Sequence, residues 1–326
     1  MMHDLPAAPR ILLIKTSSMG DVIHNLPVVS DLLFHFPEAR IDWVVEESFA
    51  DIPRLHPGVG DILTVAFRRW KKHLFSLATW REMGKARAML AARQYDGVLD
   101  TQGLIKSALI VRYAKGNKIG HAADSAREPL AARAYDTRFT IQKHLHAVER
   151  NRLLAAAAFG YDLSESKPDY GLALPVRENS DSVVFLTASS LDDKLWPETR
   201  WINLGRALAM KGLTVLLPAG SPEERRRATR IASQIPGAQS VPPMRLADLA
   251  TLLANARFAV GVDTGLSHLA AAVGVPTLVL HTVTDPERTG VFCRQWHQNL
   301  GGKNQSPDVQ AALTALAPLL PSATSP

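Results

Sequence analysis

The stretch that most constrains the fold is a short apolar run near the amino end, followed by a polar turn and a helical pattern. Residues 11–14 are Ile-Leu-Leu-Ile, a run of the length expected for a buried strand. Residues 15–20 form a polar turn that contains Gly20, and a helix-like pattern follows. We therefore predict a parallel strand feeding a helix, with the turn at the carboxyl edge of the sheet, where open α/β sheets bind their ligands.

Asp21, at the start of this predicted helix, has two interpretations. Ser18 followed three positions later by Asp21 is a helix-start pattern, in which the carboxylate only stabilises the helix N-terminus. Alternatively, Asp21 is a general base, because a helix N-terminus favours the ionised carboxylate that accepts a proton from a hydroxyl. The residues alone favour the structural role, since motifs this short often mislead.

The order of strand, polar turn and helix recurs, which predicts an α/β protein with parallel sheets. Further strands are predicted at residues 41–45, 62–65, 97–100, 183–186, 215–218, 258–262 and 277–280, the last of these being the final strand. Between Gly160 and Ser182 the sequence becomes polar and contains Pro168 and Pro175, which indicates a linker. A chain of 326 residues is long enough for two domains, each with its own core.

Composition narrows the class of protein. A hydrophobic content of 46% and a charged content of 21% are typical of soluble globular proteins. No run approaches the ~18 to 20 apolar residues that cross a bilayer, and no continuous apolar signal core stands near the start. The single cysteine, Cys293, cannot form an internal disulfide, which is typical of a reducing cytoplasm. The net charge of +6 favours an anionic partner without choosing among nucleic acid, phosphorylated substrate and membrane.

Two classes of site are disfavoured by motifs that the chain lacks. The first turn carries one glycine and no G-x-G-x-x-G pattern, so a dinucleotide-dependent dehydrogenase is disfavoured. The sequence has no H-E-x-x-H motif and no cysteine pair, so we predict no protein-bound metal.

The first half of the chain contains a dense basic cluster, Arg68 to His73, with Trp70 inside it. It is either a solvated helix face or a clamp for phosphate and carboxylate groups. The turn after residues 97–100 repeats the opening pattern, so its polar side chains should meet Asp21 at one sheet edge. Those side chains are Asp100, Gln102 and Lys106, and Arg127 is a further candidate anion contact.

In the second half, polar groups again follow predicted strands. Thr187 and Lys194 follow residues 183–186 and suit phosphate binding, with Lys194 placed to neutralise a phosphate leaving group. Glu223 and Glu224 open a helix, where they either complement its dipole or accept hydrogen bonds from ribose hydroxyls. Met244 packs either on a nucleotide base or on the core.

The turn after residues 258–262 has the features of an anion site. Gly265 allows a ligand to approach the backbone closely, and the following helix directs its free N–H groups toward that ligand. Asp263 repels a pyrophosphate, so it caps the helix or binds sugar hydroxyls. His268 lies inside the helix, where packing is the more common role.

Seven motifs in this order resemble those of the lipopolysaccharide heptosyltransferases, a family of GT-B glycosyltransferases. They are Lys15-Thr16-Ser17-Ser18-Met19-Gly20-Asp21-Val22, Trp43-Val44-Val45-Glu46-Glu47, Arg68-Arg69-Trp70, Asp100-Thr101-Gln102-Gly103-Leu104, Ala126-Arg127-Glu128-Pro129, Asp192-Asp193-Lys194-Leu195-Trp196-Pro197 and Val262-Asp263-Thr264-Gly265-Leu266-Ser267-His268-Leu269. The resemblance covers residues 11–286. The Ser17-Ser18-Met19 turn and Arg68-Arg69-Trp70 favour members that add the first heptose over heptosyltransferase II, which acts on that heptose.

The resemblance implies two Rossmann-like parallel-sheet domains facing across a cleft. It implies transfer of L-glycero-D-manno-heptose from ADP-heptose to a Kdo residue of lipid A, with inversion at the anomeric carbon and no cofactor. Residues 1–170 would bind the acceptor and residues 171–305 the ADP-heptose. Residues 306–326 would form a helix and tail packing back on the first domain. The implied protein is a monomer that binds no nucleic acid and lies peripherally on the cytoplasmic face of the bacterial inner membrane.

The resemblance also assigns site residues, with Asp21 as the base and Lys194 beside the departing ADP. The implied donor-binding residues are Thr187, Ala188, Lys194, Glu224, Met244, Asp263, Thr264, Gly265, Leu266 and His268. The implied acceptor-binding residues are Ser18, Gly20, Arg68, Lys71, Lys72, Gln102, Lys106 and Arg127. Thr282 and Val283 stand where the family has a glycine, and residues 291–302 match poorly, so the contacts of that loop stay open. A nucleotide-sugar epimerase of the same fold and a non-catalytic basic binding protein are the other candidate classes.

Overall fold

A computed structural model describes residues 5–163, 167–172, 174, 180–189 and 191–321. The chain divides into two compact units, Met1–Leu172 and Ala173–Pro326. The predicted linker spans this division, and its Pro175 lies outside the described residues.

The first unit contains a six-stranded parallel sheet in the order β3-β2-β1-β4-β5-β6. Its strands are β1 (Arg10–Ile14), β2 (Arg40–Glu46), β3 (Val59–Val65), β4 (Gln94–Asp100), β5 (Lys115–His121) and β6 (Thr137–Phe139). Its helices are α1 (Met19–Ile23), α2 (Leu26–His35), α3 (Asp51–Arg54), α4 (Phe67–Lys72), α5 (Leu77–Ala91), α6 (Ile105–Val111) and α7 (Ala147–Phe159). Short 3₁₀ helices span Glu47–Phe49 and Pro129–Ala134.

The second unit repeats this plan with a sheet in the order β12-β11-β10-β7-β8-β9, again parallel. Its strands are β7 (Ser182–Leu186), β8 (Thr214–Leu217), β9 (Gln239–Ser240), β10 (Phe258–Val262), β11 (Thr277–His281) and β12 (His297–Gly301). Its helices are α8 (Glu198–Ala209), α9 (Pro222–Ala232), α10 (Leu246–Ala254), α11 (Gly265–Ala272), α12 (Pro286–Thr289) and α13 (Val309–Leu316). The 3₁₀ helices Asp192–Lys194 and Ala317–Leu319 complete it.

Each predicted strand overlaps an observed one, and the α/β class with two parallel sheets is confirmed. The central strands are apolar because helices cover both faces of a parallel sheet. In β1, residues 11–14 are completely buried. The prediction that β11 is the last strand is wrong, because β12 pairs with it in parallel from Thr277 and His297 onward.

The C-terminal helix belongs to the second unit. Ala312 and Leu316 of α13 are buried in the same apolar cluster as Trp196 and Trp201. The Trp196 indole Nε1–H donates to the Pro307 carbonyl at 2.8 Å, which fixes the chain just before α13. The apolar face of α13 therefore completes the core of the second unit. That the segment packs back on the first domain stays a prediction, and its residues 322–326 lie outside the described residues.

Candidate active site

In the first unit, the turns after β1 and β4 are joined at the carboxyl edge of the sheet. The amide oxygen of Gln102 accepts a hydrogen bond from Thr16 N at 2.8 Å, and its Nε2 donates to Ser17 O at 2.6 Å. Lys106 Nζ donates to Ser17 Oγ at 2.6 Å. The prediction that these two turns meet is confirmed, because β1 and β4 are neighbours in the sheet.

Gln102 has a structural role in the turn after β1. It is 3% exposed, and both ends of its amide are bonded to the backbone of residues 16 and 17. These hydrogen bonds hold the turn after β1 in place. That Gln102 contacts the acceptor stays a prediction. Asp100 supports Gln102 in turn, since its Oδ1 accepts from the Gln102 backbone N–H at 2.8 Å.

Asp21 lies at the start of α1 and takes the structural role that the sequence favours. Its Oδ2 accepts hydrogen bonds from Ser18 N at 2.9 Å and from Ser18 Oγ at 3.0 Å. The same oxygen lies 3.5 Å from Arg127 Nη1, which makes an ion pair across the turn. These contacts all use Oδ2, and the side chain keeps 23% of its surface exposed. Capping of the helix therefore does not exclude a chemical role.

The charges around Asp21 keep it ionised. Burial works to raise the pKa of Asp21, but the charges of Lys15 and Arg127 and the hydrogen bonds from Ser18 outweigh it and lower that pKa below its usual value. The side chain is thus a carboxylate at neutral pH, the form that a general base requires.

Lys15 is a buried cation beside this candidate site, and the sequence analysis assigned it no role. Its ammonium is buried under the turn, where Nζ donates to Thr101 O at 2.9 Å and to Asn151 Oδ1 at 3.2 Å. Burial lowers the pKa of Lys15 to about 8. In the sequence, the lysine that directly follows the apolar run of β1 could have indicated this buried charge at the sheet edge.

The basic cluster in α4 divides into two parts. Arg69 bonds to Glu47 and Glu82, and the Trp70 indole also donates to Glu82 at 2.9 Å. The remaining cations, Arg68, Lys71 and Lys72, are exposed at the surface. Among these three, Arg68 also packs its guanidinium 4.9 Å above the Phe49 ring. The helix starts at the carboxyl edge because the Glu46 carboxylate at the end of β2 accepts from the backbone N–H groups of Phe67 and Arg68.

In the second unit, the turns after β7 and β10 are joined by an ion pair. Lys194 Nζ lies 2.8 Å from Asp263 Oδ2, and His268 Nε2 lies 3.7 Å from Asp263 Oδ1. Burial works to raise the pKa of Asp263, but His268 and Lys194 outweigh it and hold that pKa far below its usual value. His268 therefore does more than pack inside the helix, since it faces the same carboxylate as Lys194.

Helix α11 begins beside this pair and presents its first turn to the sheet edge. Thr264 is the N-cap, and Gly265 and Leu266 are the first helical residues. The backbone N–H groups at such a helix start have no partner within the helix, and they attract anions. Thr187 and Ala188 follow β7, the strand next to β10, so the same edge carries them.

Glu224 and Met244 lie further along this sheet edge, after the ends of β8 and β9 in the chain. Glu224 Oε2 accepts from Gly220 N and Ser221 N at 3.0 Å each, and Ser221 Oγ accepts from Glu224 N, so the carboxylate closes a capping box. Met244 precedes α10 and is 36% exposed. Because β9, β8, β7 and β10 are successive neighbours, the predicted donor-binding residues lie on consecutive strand ends of one sheet.

His281 is a second residue that the sequence reasoning missed. It ends β11 and is completely buried, with Nδ1 at 2.9 Å from Thr284 Oγ1 and Nε2 at 3.2 Å from Asn299 Oδ1. Burial lowers its pKa, so the ring is held neutral. Asn299 also bonds to the backbone of Val291, which ties the poorly matching loop to the end of β11. In the sequence, a histidine at the end of an apolar strand could have indicated this buried polar side chain.

Two features are absent from the described part of the chain. No helix there combines the length and apolar character needed to span a membrane. Nor do three or more His, Cys, Asp or Glu side chains gather there in a way that would hold a metal ion. That no metal takes part remains a prediction.

Two parallel-sheet units with polar turns at their carboxyl edges are the architecture of the GT-B glycosyltransferases. Residues 83–316 match glycosyltransferase family 9 (heptosyltransferase), and the chain belongs to this family.

The relatives that are 42–45% identical to this chain share one name. Lipopolysaccharide heptosyltransferase 1 of Escherichia coli K12 is 42% identical over 95% of this chain and 100% of its own length. The enzyme of that name from Pseudomonas aeruginosa PAO1 is 45% identical over 87% of this chain and 82% of its own. The structure of E. coli heptosyltransferase WaaC with ADP superposes with a TM-score of 0.90 at 40% identity, covering 95% of this chain and 99% of that one. The resemblance seen in the seven motifs is thereby confirmed.

Proposed function

We propose that this protein is an inverting glycosyltransferase that moves L-glycero-D-manno-heptose from ADP-heptose to a Kdo residue of lipid A, in the synthesis of the lipopolysaccharide inner core. The observation that carries the proposal is the 42–45% identity to proteins named lipopolysaccharide heptosyltransferase 1 over most of their length. The charged turns at the two sheet edges supply groups that suit this reaction.

In the proposed reaction, Asp21 accepts the proton of a Kdo hydroxyl while that oxygen attacks the anomeric carbon of heptose. The new carbon–oxygen bond forms as the bond to the ADP oxygen breaks, so one displacement inverts the anomeric centre. The low pKa of Asp21 supports this role because the carboxylate is ionised before the acceptor arrives. Arg127 and the Ser18 hydrogen bonds orient Oδ2, and Gln102 positions the turn.

The acceptor is anionic, and exposed cations of the first unit suit it. Arg68, Lys71 and Lys72 on α4 would bind its phosphates and carboxylates, together with Lys106 and Arg127. Ser18 and Gly20 would line the turn beside the acceptor hydroxyl. The charge of these groups and their position at one edge of the first sheet support the assignments that the family resemblance implies.

The donor would bind along the second sheet edge. The first-turn N–H groups of α11, at Thr264, Gly265 and Leu266, would hold the pyrophosphate together with Thr187 and Ala188. Lys194 would neutralise the charge that develops on the departing ADP. Asp263 and His268 would fix Lys194 and contact the sugar. Glu224 would accept hydrogen bonds from the ribose, and Met244 would lie against the adenine.

A lipid acceptor also implies where in the cell the enzyme works. We propose that the protein works as a monomer, peripherally on the cytoplasmic face of the inner membrane, with no metal or other cofactor and without binding nucleic acid. The net charge of +6 supports attraction to an anionic lipid surface.

The test is ADP release measured with both substrates and with each one alone. We expect ADP only when ADP-heptose and Kdo-bearing lipid A are both present. Release only with an acceptor that already carries a heptose would instead identify a heptosyltransferase II. An isomer formed from ADP-heptose alone would identify an epimerase. No release from folded protein under any of these conditions would refute the proposal.

A further inference from the structure

Four large apolar side chains lie exposed within one seven-residue segment that joins α4 to α5 and includes the first turn of α5. We call them the apolar tip, and their exposed fractions are 48% for Leu74, 105% for Phe75, 76% for Leu77 and 58% for Trp80. Single exposed apolar residues are normal on protein surfaces, but a contiguous group beside charged residues marks an interaction surface.

The apolar tip is held in place by its own hydrogen bonds. The Trp80 indole Nε1–H donates to Leu74 O at 2.9 Å, and Ser76 N donates to His73 O at 3.0 Å, so the turn is closed on the start of α5. Helix α5 is in turn anchored by the buried Ala86 and Leu90. The segment therefore presents Phe75 outward on a supported turn.

Cations surround the apolar tip. Glu82 is the only acidic residue between Arg68 and Arg93, and it is bonded to Arg69 and to the Trp70 indole. The exposed cations on α4 and α5 are Arg68, Arg69, Lys71, Lys72, Arg81, Lys85 and Arg87. Some of these cations form no ion pair among the described residues; they are Lys71, Lys72, Arg81, Lys85 and Arg87. The positive charge of this face is thus left for an external partner.

We propose that the apolar tip inserts into the interface of an anionic lipid bilayer while the cations of α4 and α5 rest on the lipid headgroups. Aromatic and aliphatic side chains beside Lys and Arg are the combination that binds at the boundary of headgroups and acyl chains. This inference rests on the proposed function, because only a lipid-borne acceptor gives a sugar-transferring enzyme a reason to lie on a membrane.

The position of the apolar tip in the fold agrees with that role. Helix α4 begins at the carboxyl edge of the first sheet, where Glu46 binds its first N–H groups. The strand carrying Glu46, β2, is the neighbour of β1, which leads into Asp21. A bilayer that receives the apolar tip therefore lies near the edge that carries the proposed base.

The test is cosedimentation of the full chain with vesicles of phosphatidylcholine, with and without phosphatidylglycerol. We expect binding to the anionic vesicles, weakened at least about tenfold by the double change Phe75→Ser and Leu77→Ser. The matched control is Phe34→Ser, since Phe34 is 81% exposed on α2 of the same unit, and it should leave binding within about twofold. Arg81→Gln and Lys85→Gln should each weaken binding to anionic vesicles about fivefold.

A second measurement separates docking from chemistry. The double variant should lose turnover on acceptor embedded in vesicles and keep it on a deacylated, water-soluble Kdo acceptor. If no acceptor supports turnover, the proposed function fails, while the vesicle binding still decides the docking surface. Binding of the double variant equal to that of the wild type would overturn the inference. Loss of a concentration-dependent dimer in the double variant, with vesicle binding unchanged, would also overturn it by assigning the apolar tip to a second copy of the chain.

Discussion

Lys194 Nζ lies 2.8 Å from Asp263 Oδ2, and this ion pair joins the turn after β7 to the turn after β10. The side chains are 22% and 9% exposed, so solvent screens the pair only partly. Asp263 orients the ammonium toward the start of α11, where the first-turn N–H groups would face the same anion. A preoriented charge stabilises a departing diphosphate without reorganisation during the reaction.

We expect Lys194→Gln to lower kcat by about 10²- to 10³-fold, because the charge that offsets the leaving group is gone while the side chain keeps most of its length. Steady-state ADP release measures this. Lys211→Gln is the control, since Lys211 is an exposed lysine of the same unit. A kcat within threefold of wild type would show that the ion pair has no part in catalysis.

The effect of Lys194→Gln on stability can be separated from its effect on catalysis. Lys194→Gln removes the cation that pairs with the Asp263 carboxylate. We therefore expect it to lower the free energy of unfolding by about 1–3 kcal/mol. Adding Asp263→Asn should recover most of that stability, because the uncompensated charge is removed, yet turnover should stay low. Urea unfolding and ADP release on the same samples distinguish the two. Recovered turnover in the double variant would contradict the assignment.

Lys15 provides a prediction about pH. Asp21 accepts a proton only when ionised, so kcat/KM should fall on the acidic side as pH drops through the pKa of Asp21. The charge of Lys15 is the strongest of the influences that lower that pKa. We therefore expect Lys15→Met to raise the pKa of Asp21 and to move the acidic limb of kcat/KM to higher pH. The exposed Lys115→Met should leave the limb in place. An unmoved limb in Lys15→Met would refute the electrostatic role of Lys15.

His121 provides a prediction about stability. It is 3% exposed, its Nδ1 has no hydrogen-bond partner, and burial lowers its pKa to about 3. Between that value and the usual 6.5, the unfolded chain binds more protons than the folded one, so stability falls as pH falls below about 6.5. The loss from this residue is about 1.4 kcal/mol per pH unit.

His121→Phe should therefore flatten the decline of unfolding free energy between pH 6.5 and 5 by about 2 kcal/mol. Urea denaturation of both proteins across this range is the measurement. Exposed His144→Phe is the control. An unchanged pH dependence would mean that the His121 ring is not held neutral in the folded chain.

The sequence predicted the central strands well because burial on both sheet faces requires continuous apolar runs. It missed β5, β6, β9 and β12, whose residues are Lys-Gly-Asn-Lys-Ile-Gly-His, Thr-Arg-Phe, Gln-Ser and His-Gln-Asn-Leu-Gly. These strands lie toward or at the sheet edge, where polar side chains are tolerated, so the signal of an apolar run is absent. Each of them pairs in parallel with the strand that precedes it in the chain, a contact that no local apolar run reports.

The sequence predicted which turns form the candidate site. It predicted the role of each residue in those turns less well. The spacing of Ser18 and Asp21 predicted the capping contact that the structure shows. It did not distinguish Gln102, which is buried against the backbone, from Lys106, which donates to Ser17. Lys15 and His281 were missed because their roles come from burial and from partners far along the chain, which local patterns do not report.

The account depends on Asp21 removing the acceptor proton. Asn keeps the size and the helix-start hydrogen bonds of Asp but cannot act as a base at neutral pH, so Asp21→Asn isolates the chemistry. Asp51→Asn, which removes a carboxylate from the first turn of α3 in the same unit, is the control.

The decisive measurement is single-turnover ADP release by Asp21→Asn, with ADP-heptose and Kdo-bearing lipid A both saturating and with ADP affinity measured in parallel. We predict a rate about 10²- to 10⁴-fold below wild type, with unchanged ADP affinity and normal turnover in Asp51→Asn. Turnover of Asp21→Asn near the wild-type rate would contradict the account.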